Sequence, residues 1–91
     1  MLSFLPKTPQ DVMQELKEKY KTRRKQLKLS QQELSTRADV SLGSLKRFET
    51  TGQISLESLL KLAFVLECLE DFGGICESKE YERFESIEEI V

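Results

Sequence analysis

Two helix-start signals stand close together in the middle of the chain, and they constrain its fold more than any other feature. Ser30 is followed three residues later by Glu33, the Ser-x-x-Glu spacing of a capping box, and Ser41 is a second candidate N-cap. Asp39 lies between them and tolerates the left-handed conformation that a tight turn requires. The spacing therefore predicts a short helix ending at Asp39, a tight turn, and a second helix from Ser41 to about Thr50.

The apolar residues of this helix pair have the spacing of an inward face. Leu34 and Ala38 lie four residues apart in the first helix of the pair, and Leu45 and Phe48 lie three apart in the second. Val40 is expected to pack where the second helix begins. The positions of that helix expected to point outward are Leu42, Gly43, Lys46 and Arg47.

A longer helix is predicted before this pair. Thr8 can cap it, Pro9 suits its first position, and Asp11 lies in the first turn, where the helix dipole favours an anion. Apolar residues then recur, mostly on three- and four-residue steps, at Val12, Met13, Leu16, Tyr20 and Leu27. Between them runs a basic series, Lys17, Lys19, Lys21, Arg23, Arg24, Lys25 and Lys28. The pattern predicts a helix with one core face and one strongly basic face.

Two further helices are predicted after the pair, beyond a loop over residues 50–53. Ser55 caps the first of them, and the apolar residues on its helical period are Leu56, Leu59, Leu60, Ala63 and Leu66. Leu69 and Phe72 predict a last short helix that closes the core before Gly73 and Gly74. The chain is thus predicted to be all-α, with an N-terminal arm (1–8), a five-helix domain (9–72) and an acidic C-terminal tail (73–91). Periodicity alone would also suit any small helical bundle.

The charges of the chain are segregated along the sequence. Residues 1–50 hold 11 Lys and Arg against 6 Asp and Glu, a balance of +5. Residues 51–91 hold 3 against 10, a balance of −7, and the sum is the total of −2. This asymmetry favours a first half that faces a polyanion and a second half that meets another partner. Two solvated faces with no such partners are the alternative.

Composition argues against several other classes of protein. No apolar run approaches the roughly 18 residues that cross a bilayer, so no membrane association is expected, and residues 1–9 do not resemble a signal peptide. The chain has no His, and Cys68 and Cys76 fit neither a common zinc pattern nor a disulfide framework. We expect a cytoplasmic protein with reduced cysteines, no metal and no cofactor. Without a clustered nucleophile and base, an enzyme is not expected.

The stretch from Leu27 to Glu49 strongly resembles the phage-repressor and Cro-type (XRE-like) helix-turn-helix family, and the resemblance extends from about Tyr20 to Phe72. The matching residues are Leu29, Ser30, Gln31, Glu33, Leu34, Ala38, Val40, Ser41, Leu45, Glu49, Ser55, Leu56, Leu59, Leu60 and Ala63. The family implies a five-helix, lambda-repressor-like domain whose third helix enters the major groove of DNA. It also implies double-stranded DNA as the partner and a homodimer as the binding unit.

The resemblance assigns DNA contacts to the start of both short helices. Gln31 matches the family's phosphate-contacting Gln, beside backbone N–H groups that favour a phosphate, although a plain exposed residue is the alternative. Ser41, Leu42 and Gly43 occupy the base-reading stretch, where Ser41 can both cap and contact DNA. Leu42 offers an apolar contact, for example with a thymine methyl, or else a core or dimer contact. Gly43 departs from the polar residues usual there and lets the backbone approach closely.

Further candidate contacts lie one turn along the third helix. Arg47 matches a base-contacting position, and Arg is the side chain best suited to guanine; a phosphate contact or a free surface charge is the alternative. Ser44 and Lys46 are better candidates for phosphate contacts, which position a protein without specifying sequence. Since Leu42 and Gly43 add no polar group, the sequence predicts reliance on phosphate contacts, DNA shape and dimer spacing.

Arg24 and Glu49 match an Arg and a Glu that form an ion pair in many members of the family. Such a pair would lock the third helix to the first, and Arg24 could also contact a phosphate; two independent surface charges are the alternative. Arg23 stands where an apolar residue is usual, so a slight turn or shift of the first helix is expected. Lys28 replaces a frequent Gly, the residue that takes the left-handed conformation freely.

The acidic tail falls outside the ordinary helix-turn-helix domain, and its charge should keep it away from DNA. Small repressors with such extensions resemble HipB-like antitoxins, which pair with a kinase-like toxin and repress their own operon. This resemblance rests on an acidic segment with Phe84 and on the apolar end over residues 87–91. Residues 80–85 could add a strand to a toxin partner or to a twin subunit, and a solvated tail without a partner is the alternative.

The sequence as a whole predicts a dimeric, sequence-specific DNA-binding repressor or autoregulator. The antitoxin of a toxin–antitoxin pair is a narrower form of that hypothesis. The alternative is a protein-interaction module of the same fold that no longer binds DNA, which Leu42, Gly43 and the negative total charge favour. Leu2, Phe4 and Leu5 form a small apolar arm that we expect to cover part of the domain or of the dimer surface.

Overall fold

The computed structural model of the chain describes residues 7–77. The apolar arm of Leu2, Phe4 and Leu5 lies outside the described residues, and so do Phe84 and the strand predicted over residues 80–85. The elements are α1 (Pro9–Gln26), α2 (Gln31–Ala38), α3 (Leu42–Thr51), α4 (Leu56–Val65) and a 3₁₀ helix (Leu69–Gly74). Within residues 7–77 there is no strand, and none of the helices is both long and apolar enough to cross a membrane. The prediction of an all-α fold with five helices is confirmed.

Side-chain caps begin all four α-helices, as the sequence predicts. The capping hydroxyls each accept a hydrogen bond from the backbone N–H three residues later, and they belong to Thr8, Ser30, Ser41 and Ser55. In α1 and α2 the carboxylates of Asp11 and Glu33 return a bond to the capping residue's N–H, which completes a capping box. Because unpaired N–H groups at a helix start are costly, these caps fix where each helix begins.

The core lies between the four α-helices, with α1 packed against α3, and α2 packed against both α3 and α4. Its buried apolar residues are Tyr20, Leu29, Leu34, Ala38, Val40, Leu45, Phe48, Leu59, Leu62, Ala63 and Leu66. The rings of Tyr20 and Phe48 meet edge to face with centroids 5.4 Å apart. The Tyr20 hydroxyl donates to the Leu59 carbonyl at 3.1 Å, and burial raises the pKa of Tyr20, so this group remains a donor.

Helix α3 continues further than the sequence predicts. The helix was predicted to end at about Thr50, but Thr51 is helical too, and the hydroxyls of the two threonines donate back to the carbonyls of Lys46 and Arg47 at 2.9 and 2.8 Å. The helix ends at Gly52, whose φ of 86° is a left-handed conformation. The loop prediction was therefore wrong for Thr51, since Gly52 ends the helix.

Four apolar positions expected to face the core are exposed instead. Val12 and Leu27 of the predicted α1 core face are 42% and 36% exposed, Leu56 of α4 is 68% exposed, and Leu69, expected to close the core, is 37% exposed. Leu62, which the predicted period left out, is fully buried. In α4 the core face is centred on residues 59, 62, 63 and 66, so Leu56 lies at its edge, where periodicity alone does not decide the side.

Arg23 and Lys28, which depart from the family pattern, are both accommodated by local hydrogen bonds. Arg23 is half-buried, and its Nη1 donates to the Leu66 carbonyl at the end of α4 at 2.7 Å, so a charged group takes the place of an apolar contact. Lys28 adopts the left-handed conformation itself, with a φ of 59°, and its N–H donates to the Lys25 carbonyl at 2.9 Å. The turn between α1 and α2 thus forms without glycine, at a cost of roughly 1–2 kcal/mol of backbone strain.

Candidate nucleic-acid interface

A tight turn sets the angle between α2 and α3. Asp39 has a φ of 59°, a left-handed conformation, and the N–H of Val40 donates to the Ser35 carbonyl at 3.1 Å. Val40 is buried, and Ser41 then caps α3. Because the turn residue, the buried valine and the cap follow one another directly, the two helices have little freedom to change their relative orientation.

A buried ion pair joins α1 to α3. Arg24 Nε donates to Glu49 Oε2 at 2.8 Å, and Arg24 Nη2 donates to Glu49 Oε1 at 3.0 Å. Arg24 is 8% exposed and Glu49 is 6% exposed. A third guanidinium nitrogen, Nη1, donates to the Leu29 carbonyl at 2.9 Å, just before α2 begins. Losing one partner of such a buried pair typically costs about 3–5 kcal/mol, because the other charge is stranded.

Gln31 adds α2 to this arrangement. Its Nε2 donates to Glu49 Oε1 at 2.9 Å, and the side chain is half-buried. Arg24, Gln31 and Glu49 thus form one network, the Arg24 cluster, that ties the first three helices together at the start of α2. The sequence placed Gln31 and Glu49 at separate sites, whereas the structure brings them into contact.

The first turn of α3 presents small, exposed groups. Ser41 Oγ accepts from the Ser44 N–H at 3.1 Å and is 2.8 Å from Ser44 Oγ. Gly43 is exposed, and a Cβ added there would meet no atom within 4 Å. Leu42 is half-buried, and among the described residues it is not one of the partly buried side chains packed against the core. The core contact considered for Leu42 therefore has no support here.

Lys46 and Arg47 are both exposed on the next turn of α3. Arg47 Nη2 donates to Gln53 Oε1 at 2.6 Å, and the Gln53 N–H donates to Thr51 Oγ1 at 3.1 Å. The loop after α3 therefore holds the arginine from one side. Sequence reasoning missed Gln53, because a Gln in a loop has no spacing signal that would link it to a residue in the preceding helix.

Helix α1 also contacts the far end of α3. Gln14 Nε2 donates to the Thr51 carbonyl at 3.0 Å, and Lys17 Nζ donates to the Thr50 carbonyl at 3.4 Å. Helix α3 has no basic residue in its own last turn, so these groups from α1 satisfy its C-terminal carbonyls and complement its dipole. Both positions fall on three- and four-residue steps with Arg24, a spacing that could have indicated them.

The charges around α3 are unevenly balanced. Glu49 is neutralised by Arg24, which leaves Lys46 and Arg47 as exposed cations on α3, and Lys25 and Lys28 are exposed near the start of α2. The hydrogen bond from the Ser30 backbone N–H lowers the pKa of Glu33, so this carboxylate is committed to its cap. The surface formed by the start of α2 and the exposed side of α3 therefore favours an anionic partner.

A profile described as Helix-turn-helix matches residues 21–71, which is more than half of the chain. The chain belongs to this family. The match covers the Arg24 cluster, the α2–α3 turn and the whole of α3. Searches of curated proteins and of solved structures found no significant match. The resemblance to XRE-type regulators is confirmed, and with it the coarse class of a DNA-binding transcription regulator.

Proposed function

We propose that the chain is a sequence-specific repressor that binds double-stranded DNA as a homodimer. The observation that carries this proposal is the Arg24 cluster, which fixes α3 to α1 and α2 while the outer side of α3 stays exposed. A recognition helix has to keep a defined angle to the helix before it, because that helix lies across the DNA backbone. A buried network is costly to maintain, and holding this angle is a function that accounts for it.

In this proposal α3 enters the major groove and α2 begins at the DNA backbone. An amide nitrogen has two N–H groups, so Gln31 can keep its bond to Glu49 and give its second proton to a phosphate. The N-terminus of α2 adds backbone N–H groups and a favourable dipole. Arg24 neutralises Glu49 behind this contact and thereby lowers the repulsion between that carboxylate and the phosphate.

The side chains of α3 then divide into two roles. Ser41, Leu42 and Arg47 meet base edges, and the hydrogen bond that Arg47 donates to Gln53 limits the conformations that Arg47 adopts before it binds. Ser44 and Lys46 contact phosphates. Gly43 allows the backbone of the first turn to come close to the DNA. With so few polar groups facing the bases, DNA shape and phosphate contacts supply much of the binding energy.

Mobility shifts over a salt series test this division, with one duplex selected from a random library and one unselected. Arg47→Ala is expected to weaken binding to the selected duplex by roughly 5- to 150-fold and to affect the unselected duplex much less. Lys46→Ala is expected to weaken both equally and to reduce the salt slope by about 1. Lys19→Ala is the matched control, because Lys19 is exposed on the side of α1 that faces the 3₁₀ helix.

The same experiment decides between the proposal and a protein-interaction module that no longer binds DNA. If a confirmed dimer fails to bind either duplex at low salt, the repressor proposal is wrong. If Arg47→Ala loses affinity equally on both duplexes, Arg47 contacts phosphate, and the base-reading role assigned to it is wrong.

An antitoxin role is a narrower proposal that depends on the tail over residues 73–91. Its support is the charge of the tail, since residues 73–91 hold 2 Lys and Arg against 6 Glu, a balance of −4 that DNA binding does not use. The test is co-purification of the product of the neighbouring gene with the full chain but not with a chain ending at Gly73. Equal recovery with both chains would contradict a toxin site in the tail.

A further inference from the structure

The outer side of α4 carries large apolar side chains that the fold does not cover. Leu56 is 68% exposed and Phe64 is 71% exposed, and Leu60 between them is half-buried. The three residues are spaced by four, so they form one stripe along the helix. Leu60 and Phe64 border a hollow of about 410 Å³ between α4, the end of α2 and Leu69 of the 3₁₀ helix. We call Leu56, Leu60 and Phe64 the α4 stripe.

Such a stripe is unfavourable in water unless something packs on it. A fully exposed phenylalanine side chain offers on the order of 150–250 Å² of surface, and the stripe as a whole leaves on the order of 300 Å² uncovered. The largest apolar patch on a typical monomer is of about this size and is often functional. Two such stripes in contact would form the apolar centre of an interface, with charged residues at its rim.

The arrangement of charges beside the stripe points to a second copy of the chain as its occupant. Glu57 and Lys61 lie along one flank of the α4 stripe, and the Lys61 Nζ is 3.7 Å from a Glu57 carboxylate oxygen. When two identical helices cross in antiparallel fashion, equivalent flanks face each other. A two-fold axis near Leu60 would place Leu56 against Phe64 of the second copy and Glu57 beside Lys61 of the second copy. The stripe and its flank are thus self-complementary.

The Leu60 and Phe64 part of the α4 stripe lies away from the start of α2, where the proposed phosphate contact is. The hollow beside it is bordered by Arg37 and Ala38, at the C-terminal end of α2. Gln31 stands at the other end of α2, which has 8 residues and is therefore about 12 Å long. We propose that the α4 stripe is the homodimer interface. This inference rests on the proposed function, because the interface supplies the dimer that the function needs.

The first test is sedimentation equilibrium of the full chain, compared with Phe64→Ser. Phe64 is mostly exposed, so the variant should fold, and thermal unfolding checks this. Removing this aromatic anchor from the interface is expected to raise the dimer dissociation constant by roughly 30-fold or more. Val12→Ser is the matched control, because Val12 is an exposed apolar residue on α1, and its dissociation constant should stay unchanged.

The second test exchanges the flanking charges. Glu57→Lys alone and Lys61→Glu alone place like charges opposite each other in the dimer and should each weaken it several-fold. The double variant restores opposite charges across a two-fold interface and should recover most of the affinity. A partner of unrelated sequence on this surface would not produce such recovery in the self-association of the purified chain.

Each outcome bears on the interface separately from DNA binding. A dimeric wild type, a weakened Phe64→Ser protein and a recovered double variant support the α4 stripe. A wild type that stays monomeric, a Phe64→Ser protein that dimerises normally, or a Val12→Ser protein that is weakened equally would overturn it. Mobility shifts with the same samples show whether DNA binding survives, so a wrong interface with intact DNA binding is distinguishable from a failed repressor proposal.

Discussion

At the scale of single residues, Gly43 is expected to lower the stability of α3 while it favours the binding of DNA. It lies in the first turn of α3, is exposed, and has no atom within 4 Å of where a Cβ would be. We predict that Gly43→Ala raises the free energy of unfolding by about 0.5–1 kcal/mol, because alanine is the better helix former. If the backbone there approaches DNA, the added methyl group should also lower affinity for the selected duplex several-fold.

Urea unfolding and mobility shifts on the same protein measure the two effects. Gly52→Ala is the contrasting variant, since Gly52 has a φ of 86° and an added Cβ would lie 3.0 Å from Gln14 Nε2 and 3.3 Å from the Met13 carbonyl oxygen. It should lose stability by about 1–2 kcal/mol. A Gly43→Ala protein that is more stable and binds DNA unchanged would show that no close backbone approach occurs at Gly43.

The pairing of Arg24 with Glu49 could be expected from the sequence, but the partners of two glutamines could not. The ion pair was expected because Arg24 and Glu49 match two residues that pair in many members of the family. Gln31 and Gln53 reach Glu49 and Arg47 through side-chain conformations that depend on the folded positions of three helices and a loop. Sequence spacing contains no information on such long-range geometry, so these contacts appear only in the structure.

At the scale of elements, the starts of helices are more predictable than their ends and faces. Each α-helix start depends on one local hydroxyl, which the sequence displays directly. The end of α3 depends on Gly52, and the outward position of Leu56 depends on which neighbour packs beside it. A stripe at the edge of a core face therefore looks the same in sequence whether it faces the core or a second subunit.

The cap of α2 has a pH dependence with a definite sign. The Ser30 backbone N–H lowers the pKa of Glu33 in the folded protein, so the ionised form is favoured by folding. Its contribution to stability is complete above the ordinary pKa of a glutamate and is lost as the pH falls through the lower, folded-state pKa. We predict that the stability difference between wild type and Glu33→Ala, measured by urea unfolding, shrinks over that acid range.

Glu15→Ala is the control for this pH effect. Glu15 lies on α1, forms an exposed ion pair with Lys7 and does not cap a helix. Its stability difference from wild type should be small, within about 1 kcal/mol, at every pH. A Glu33→Ala difference that stays constant through the acid range would show that the charge of Glu33 does not strengthen the cap.

At the scale of the whole molecule, the separation of charge along the chain matters more than its sum. The sequence shows this separation directly, with a balance of +5 in residues 1–50 and −7 in residues 51–91. It does not show where the charges meet in space, which depends on packing. The structure places Lys46 and Arg47 on the exposed side of α3 and neutralises Glu49, so the local field at α3 is positive although the total charge is negative.

The acidic residues beyond Glu77 should weaken DNA binding through this long-range field. Residues 78–91 contain 2 Lys and Arg and 5 Asp and Glu, so a chain ending at Glu77 changes the net charge from −2 to +1. We predict that this shorter chain binds an unselected duplex several-fold more tightly than the full chain at low salt. The gain should fade as salt rises, because charges further apart than about 10 Å are largely screened at 0.1 M. A full-length chain with those five carboxylates changed to amides is the control for length; it keeps Lys79 and Arg83, has a net charge of +3, and should bind at least as tightly as the shorter chain. If the shorter chain instead binds DNA more weakly at every salt concentration, residues 78–91 support binding by contact or by stabilising the dimer, and repulsion is the wrong account of their charge.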